Sequence, residues 1–317
     1  MGKTNSVQYD LLQAALPQTA NNNTTKTYKR SIKAFGIWAR EQGYKNVQAI
    51  RDAGSVAVLQ QYEQFLELQT SSPASIHTRL APICKGLGVS MADIDKPKRG
   101  AESLSRSRDR ENNKQGKKEA ISAKYARLVA FQSAVGIRRA ELARLKGGDL
   151  VTDQEGCLCI RVIRGKGGKN QLQRILPQHQ GTVIRIMTAI RSDQQVFSAE
   201  EMANCIDLHS MRAELARDAY VYYANRLQTE PGYRDQLRGE LQRRWQSCQN
   251  QRRSGAAWQR FRRELYSQEP YKLRGANRQA AANRGRPVEY DRLAMMAVSV
   301  FHLSHWRLDV TAVNYLA

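Results

Sequence analysis

Gly136-Ile137-Arg138-Arg139-Ala140-Glu141-Leu142 is the stretch on which the reading of this chain turns. A helical pattern carried by Ser122, Tyr125, Leu128, Val129 and Phe131 breaks at Gly136 and resumes through Glu141, Leu142 and Leu145. Two arginines therefore open a new helical segment. Three more stretches follow in order: Gly165-Lys166-Gly167-Gly168-Lys169, then His209-Ser210-Met211-Arg212, then Leu303-Ser304-His305 with Tyr315 close behind. Singly, each has an ordinary explanation. An arginine pair at a helix start is usually solvated, and a lysine in a glycine turn usually belongs to a plain hairpin. His209 and Arg212 share a helix face, as many surface pairs do. His305 beside Trp306 suits a packing histidine, and Tyr315 is one of 13 tyrosines. The joint occurrence, in this order, carries the information.

Outward from these stretches, the chain of 317 residues has room for two domains and a sizeable core. Lys and Arg number 51 against 29 Asp and Glu, a formal charge of +22. Such a field attracts polyanions, and its spread along the chain argues against a basic tail on an unrelated protein. The five cysteines include no Cys-x-x-Cys pair, which excludes a zinc framework of that kind and points to a reducing compartment. The first residues lack an apolar signal core, so a soluble, cytoplasmic protein is expected. No Gly-x-x-x-x-Gly-Lys-Ser/Thr loop and no carboxylate cluster is present, which argues against nucleotide hydrolysis and metal-dependent nuclease chemistry. No cofactor and no metal is expected.

The fold class read from these patterns is mainly α with a small β-hairpin or sheet (α+β). Residues 1–23 are polar and read as a flexible arm. Residues 24–95 carry helical stripes: Tyr28, Ile32, Phe35 and Ala39; Val56, Leu59, Tyr62, Phe65 and Leu66; Ile76, Leu80, Ile83 and Leu87. Residues 96–118 lose their hydrophobics and read as a basic linker suited to tracking a phosphate backbone. Cys157–Arg164 and Leu172–Leu176 flank the glycine turn as a hairpin. Residues 226–289 are basic, with leucines and aromatics spaced as on amphipathic helices.

Phosphoryl transfer to a tyrosine makes definite demands. Negative charge spreads over the non-bridging oxygens, and two guanidiniums present planar forks to them. A phenol, with a pKa of about 10, needs help losing its proton. The departing oxygen needs a proton, which a lysine on a hairpin turn can supply. The bond energy is kept in the covalent intermediate, so neither ATP nor metal is required.

With those residues in place, the chain resembles the tyrosine recombinase/integrase family over most of its length. The resemblance implies a catalytic set of Arg138, Lys166 (chosen over Lys169), His209, Arg212, His305 and the nucleophile Tyr315, with Glu141 in support. It implies a helical, SAM-like core-binding domain at 24–95, and a catalytic domain at 119–317 with an insertion at about 226–289, the two forming a clamp on DNA. It implies a duplex recombination site as partner, and Lys96, Lys98, Arg99, Arg106, Arg108, Lys114, Lys117 and Lys118 as contacts to the DNA backbone. It further implies a homotetramer exchanging strands through a Holliday junction for a mobile element in a bacterial or phage-host cytoplasm, associated with the nucleoid, with room for an accessory DNA-bending protein. The alternatives are a non-catalytic DNA-binding relic or regulator and a type IB topoisomerase. Ser304 departs from the family by replacing a glycine. The interval from Arg212 to His305 is long, and that from His305 to Tyr315 is one residue longer than the commonest form. Only Leu316 and Ala317 follow Tyr315, so subunit coupling is expected to use another element.

Replacing Lys98, Arg99, Arg106 and Arg108 with glutamine should reduce the salt slope of DNA binding by about 0.9 for each phosphate no longer neutralised. Titrations at several salt concentrations measure it, and an unchanged slope removes these residues from the phosphate set.

Overall fold

The computed structural model describes residues 6–16, 22–70, 72–99, 118–120, 122–165, 168–248 and 255–317. The chain is mostly helical with a small antiparallel sheet and divides into two compact units, Met1–Leu104 and Ser105–Ala317. No helix among the described residues is long and apolar enough to cross a membrane.

The first unit contains α1 (Val7–Ala15), α2 (Asn22–Glu41), α3 (Val47–Asp52), α4 (Ser55–Gln69) and α5 (Pro73–Leu87). Its polar residues set the helix starts: Asn46 accepts from the Ala49 N–H at 2.9 Å and Ser72 from that of Ser75 at 3.4 Å. Ile32, Phe35 and Ala39 of α2 share one core with Leu59, Tyr62 and Leu66 of α4 and Ile76, Leu80 and Ile83 of α5. Within it the Phe35 and Tyr62 rings meet edge to face at 4.9 Å.

Two expectations need correcting here. Residues 7–15, read as part of a flexible arm, form α1, which Ser6 caps. Val7, Leu11 and Ala15 recur at every fourth position and are buried in the same core. Polar neighbours dilute that stripe and hide it. Val56, expected inside, is 43% exposed, and Val58 is buried in its place. Lys96, expected on a phosphate, donates to the carbonyls of Met91 and Ile94 in the free chain. Lys98, Arg99 and Lys118 are exposed, whereas Arg106, Arg108, Lys114 and Lys117 lie outside the described residues.

The second unit opens with α6 (Ala126–Val135) and α7 (Arg139–Leu142). A three-stranded antiparallel sheet follows, β1 (Leu150–Thr152), β2 (Leu158–Val162) and β3 (Gln171–Arg174), in the order β1-β2-β3. Val151 stands opposite Cys159, and Ile160 opposite Gln173. The hairpin is the one that alternation predicts; β1 is too short to show a period. Helices α8 (Gln180–Thr188), α9 (Ala199–Met202) and α10 (Leu208–Thr229) lead into the basic segment.

That segment is not an appendage. Helix α10 runs unbroken past residue 226 to Thr229. Then come α11 (Tyr233–Ser247), α12 (Gly255–Tyr266), β4 (Tyr271–Lys272), α13 (Gly275–Asn283), β5 (Glu289–Tyr290) and α14 (Arg292–Ala297). Leu237, Leu241 and Trp245 of α11 and Phe261 and Leu265 of α12 share a core with Ala213, Ala216, Ala219, Leu293 and Phe301. Ion pairs tie α11 to the sheet. Buried Arg174 of β3 bonds Asp153 at 2.7 Å and Glu240 at 2.6 Å, and Arg244 bonds Asp153 at 2.9 Å. Burial pushes the Asp153 carboxyl up, but these guanidiniums outweigh it and hold the acid below its usual range. The chain closes with a π-helical turn at Val298–His302, α15 (Leu308–Thr311) and a second π-helical turn at Ala312–Leu316.

Leu11→Ala should lower the stability of the first unit by about 2–5 kcal/mol, the cost of truncating a fully buried leucine. Chemical denaturation reads it. A loss near zero is the result a mobile arm gives and excludes the packed α1.

Candidate active site

Gly136 terminates α6 with φ +61°, a left-handed conformation suited to glycine. It is also where two segments touch: a Cβ there would come within 2.9 Å of a Leu215 methyl and 3.2 Å of the Arg212 Cα. The next residues therefore emerge directly against α10. Gln132, buried in α6, donates to the carbonyls of Ile137 and Leu208, both at 2.8 Å. These are the residues just before Arg138 and His209, so one amide fixes both boxes together. Gln132 is absent from the set expected from sequence; its only signal there is a polar residue between Phe131 and the apolar end of its helix.

The two adjacent arginines separate cleanly. Arg139 donates to the carbonyls of Met202 and Ile206 and to the Asn204 side chain, bracing the loop before α10. Arg138 turns the other way. Its backbone N–H and guanidinium bond the two oxygens of Glu141 at 3.0 and 2.8 Å, and it keeps partial exposure to solvent. Burial would push the Glu141 carboxyl up; Arg138, with Arg212 adding in the same direction, holds it below the usual range. Glu141 is thus a fixed anion that orients Arg138.

Glu141 also meets the glycine turn of the hairpin. A Cβ on buried Gly165 would lie 2.9 Å from its Oε1. The turn is closed by Gly165 N–H to the Lys169 carbonyl at 2.7 Å and Gly168 N–H to the Gly165 carbonyl at 2.9 Å. Lys169 is exposed, and Lys166 lies outside the described residues.

Arg212 is 1% exposed. Its guanidinium donates to the carbonyl of Gly136 and, at 2.9 Å, to that of Leu303. Burial pushes its pKa down, Tyr315 acts against that shift, and Arg138 adds to it. A guanidinium nevertheless keeps its charge in protein surroundings. Tyr315 is buried in the second π-helical turn, with the Arg212 Cζ 5.9 Å from its ring centroid. Exposed His209, in the first turn of α10, approaches the same ring edge-on at 5.7 Å. His305 approaches it at 5.8 Å. Five of the expected residues, with Glu141, are therefore near neighbours.

His305 is held on one side only. Its Nδ1 lies 3.3 Å from the Ser299 hydroxyl and 3.4 Å from the Arg307 N–H, which donates to it. With Nδ1 accepting, the ring proton sits on Nε2, which is buried and has no hydrogen-bond partner. Burial, followed by Arg212 and Arg138, pushes the His305 pKa down to about 3. The imidazole is neutral near pH 7 and presents an N–H. Ser299 is a second residue absent from the expected set; a lone serine in the apolar run from Met295 to Phe301 is its trace.

Two residues beside His305 have backbones in the left-handed region, Ser304 at φ +53° and Trp306 at φ +59°. The Ser304 hydroxyl is buried without a partner. The glycine that the resemblance implies at 304 would carry neither cost.

No protein-family profile and no curated protein matches the chain. Among solved structures, one described as a crystal structure of XerA recombinase is 19% identical, covers 68% of this chain and 76% of its own, and superposes with a TM-score of 0.22. At that level the likeness carries no argument, and the functional reading rests on the residues.

Ser304→Gly should stabilise the second unit by about 1 kcal/mol, the left-handed cost of a non-glycine residue less the added entropy of glycine. Thermal unfolding measures it. A lower midpoint would show that the serine is better accommodated than its backbone suggests.

Proposed function

We propose that the chain is a tyrosine-type DNA strand transferase, a site-specific recombinase or integrase serving a mobile element. It cleaves and rejoins DNA through a 3′-phosphotyrosyl intermediate and a Holliday junction. The observation that supports this most is the surrounding of one buried phenol, Tyr315, by Arg212, His209 and His305 at 5.7–5.9 Å. An ordinary core tyrosine has no use for a buried guanidinium and two imidazoles.

In this reading the Tyr315 oxygen attacks phosphorus, forming the phosphotyrosyl bond as the bond to the 5′ oxygen breaks. Arg138 and Arg212 balance the charge on the non-bridging oxygens, and neutral His305 donates from Nε2 to one of them. His209, exposed and facing the phenol, takes its proton. Lys166 gives a proton to the departing 5′ oxygen. Rejoining is the reverse: a 5′ hydroxyl attacks the phosphotyrosine and the phenol regains its proton. The excess of basic residues over acidic ones supports duplex DNA as the partner, and a tetramer on paired sites is part of the proposal.

The test uses a nicked duplex that traps the covalent product, built from DNA flanking the gene, with denaturing electrophoresis as readout. Wild type should form an adduct without metal or ATP. Tyr315→Phe should form none while binding DNA with similar affinity. An adduct from Tyr315→Phe reassigns the nucleophile. Binding without any adduct from wild type replaces the enzyme with a DNA-binding regulator.

A further inference from the structure

The basic segment 226–289 has no part in the chemistry above, yet its described residues pack against the neighbour of a site residue. Trp306, the residue after His305, has its ring 5.2 Å from Trp245 of α11, edge to face, and 5.6 Å from Phe261 of α12. Trp245 and Phe261 stack at 4.2 Å, and Trp258 lies 5.7 Å from each. Ser304 and Trp306 also line a cavity of about 380 Å³, shared with Asp153, Arg174, Glu240 and Arg244. The turn therefore borders open space on one side and an aromatic cluster on the other. Left-handed backbone at Ser304 and Trp306 persists only where surrounding structure enforces it, and an indole packed against two aromatic rings can enforce it.

We propose that Trp245 and Phe261, backed by Trp258, are positioning residues for His305: the inserted helices grip Trp306 and so keep the histidine turn closed over the Tyr315 ring. The part this plays in strand transfer rests on the function proposed above; the grip itself does not. It also gives the segment a purpose other than contact with DNA.

The chain has five histidines, so ring-nitrogen NMR of labelled full-length protein resolves them, with His305→Gln assigning the signal. The charged groups facing His305 are Arg212, Arg138, Arg307 and Asp309. All remain in the variants, so a change in its titration reports movement of the turn. In wild type the His305 signal should stay that of a neutral ring from about pH 5 to 8. In Trp245→Leu it should titrate inside that window, towards the value of about 6.5 for a solvated imidazole, and Trp245→Phe should restore wild-type behaviour. Trp306→Gly removes the gripped ring, suits the left-handed backbone and leaves the inserted core intact; it should act like Trp245→Leu and decides the matter should the latter fail to fold. On the nicked substrate, Trp306→Gly should slow adduct formation by about 100-fold, as small misplacements of a reacting group do, with DNA affinity unchanged. A folded Trp306→Gly protein whose His305 stays neutral overturns the grip. A shifted titration with an unchanged adduct rate overturns its catalytic importance. Absence of an adduct from wild type defeats the strand-transfer reading alone, because the NMR result still judges the grip.

Discussion

The second unit depends on the burial of one cation. Arg212 sits in the core with its guanidinium spread across the carbonyls of Gly136 and Leu303. These belong to three distant stretches: the arginine box, the helix that carries His209, and the histidine turn. A buried charge is costly unless its donors are met, so the fold must bring both carbonyls to it. The same requirement assembles the site. Gly136 has no side chain because α10 passes too close, and Arg138 appears two residues later on the same edge. His305 appears two residues after Leu303 on the other. The buried guanidinium is thereby the tie that fixes the positions of its neighbours.

Around that tie the polar groups fall into two kinds. Arg139, Arg174 and Gln132 spend their donors on protein and act as struts. Arg138 keeps partial exposure to solvent, and His305 Nε2 and Arg212 Nε have no hydrogen-bond partner among the described residues. The distinction is visible in the partners: Arg139 meets three acceptors from the 202–206 loop, whereas His305 Nε2 meets none. Preorganised donors of this second kind do the most for a reaction in which charge builds up in a water-poor site.

The sequence exposes some of this arrangement and conceals the rest for physical reasons. The mainly helical class with a small sheet is readable because strong periodicity marks α2, α4, α5 and the β2–β3 hairpin. Helix α1 is hidden because its stripe is three residues deep among polar ones, and β1 because three residues cannot show an alternation. The residues meeting around Tyr315 can be collected from their order along the chain, but not their roles relative to one another. Two adjacent arginines look alike in sequence; Glu141 takes Arg138, and acceptors supplied by residues 202–206 take Arg139. The aromatics of 226–289 announce ordered helices and give no hint of what they pack against, since Trp245 and Trp306 are brought together by tertiary folding alone.

The π-helical turn at Ala312–Leu316 widens the coil at the end of the described chain. The Ala317 N–H reaches back to the Ala312 carbonyl at 2.8 Å, a bond that spans five residues where an α-helix spans four. Such a turn lodges a surplus residue without extending the segment by a full helical step. Tyr315 sits inside this widened coil, its ring centroid 5.9 Å from the Arg212 Cζ. The seat of the phenol is therefore set by how the last turn is wound, and rewinding those five residues as a regular α-helix would turn the ring to another bearing.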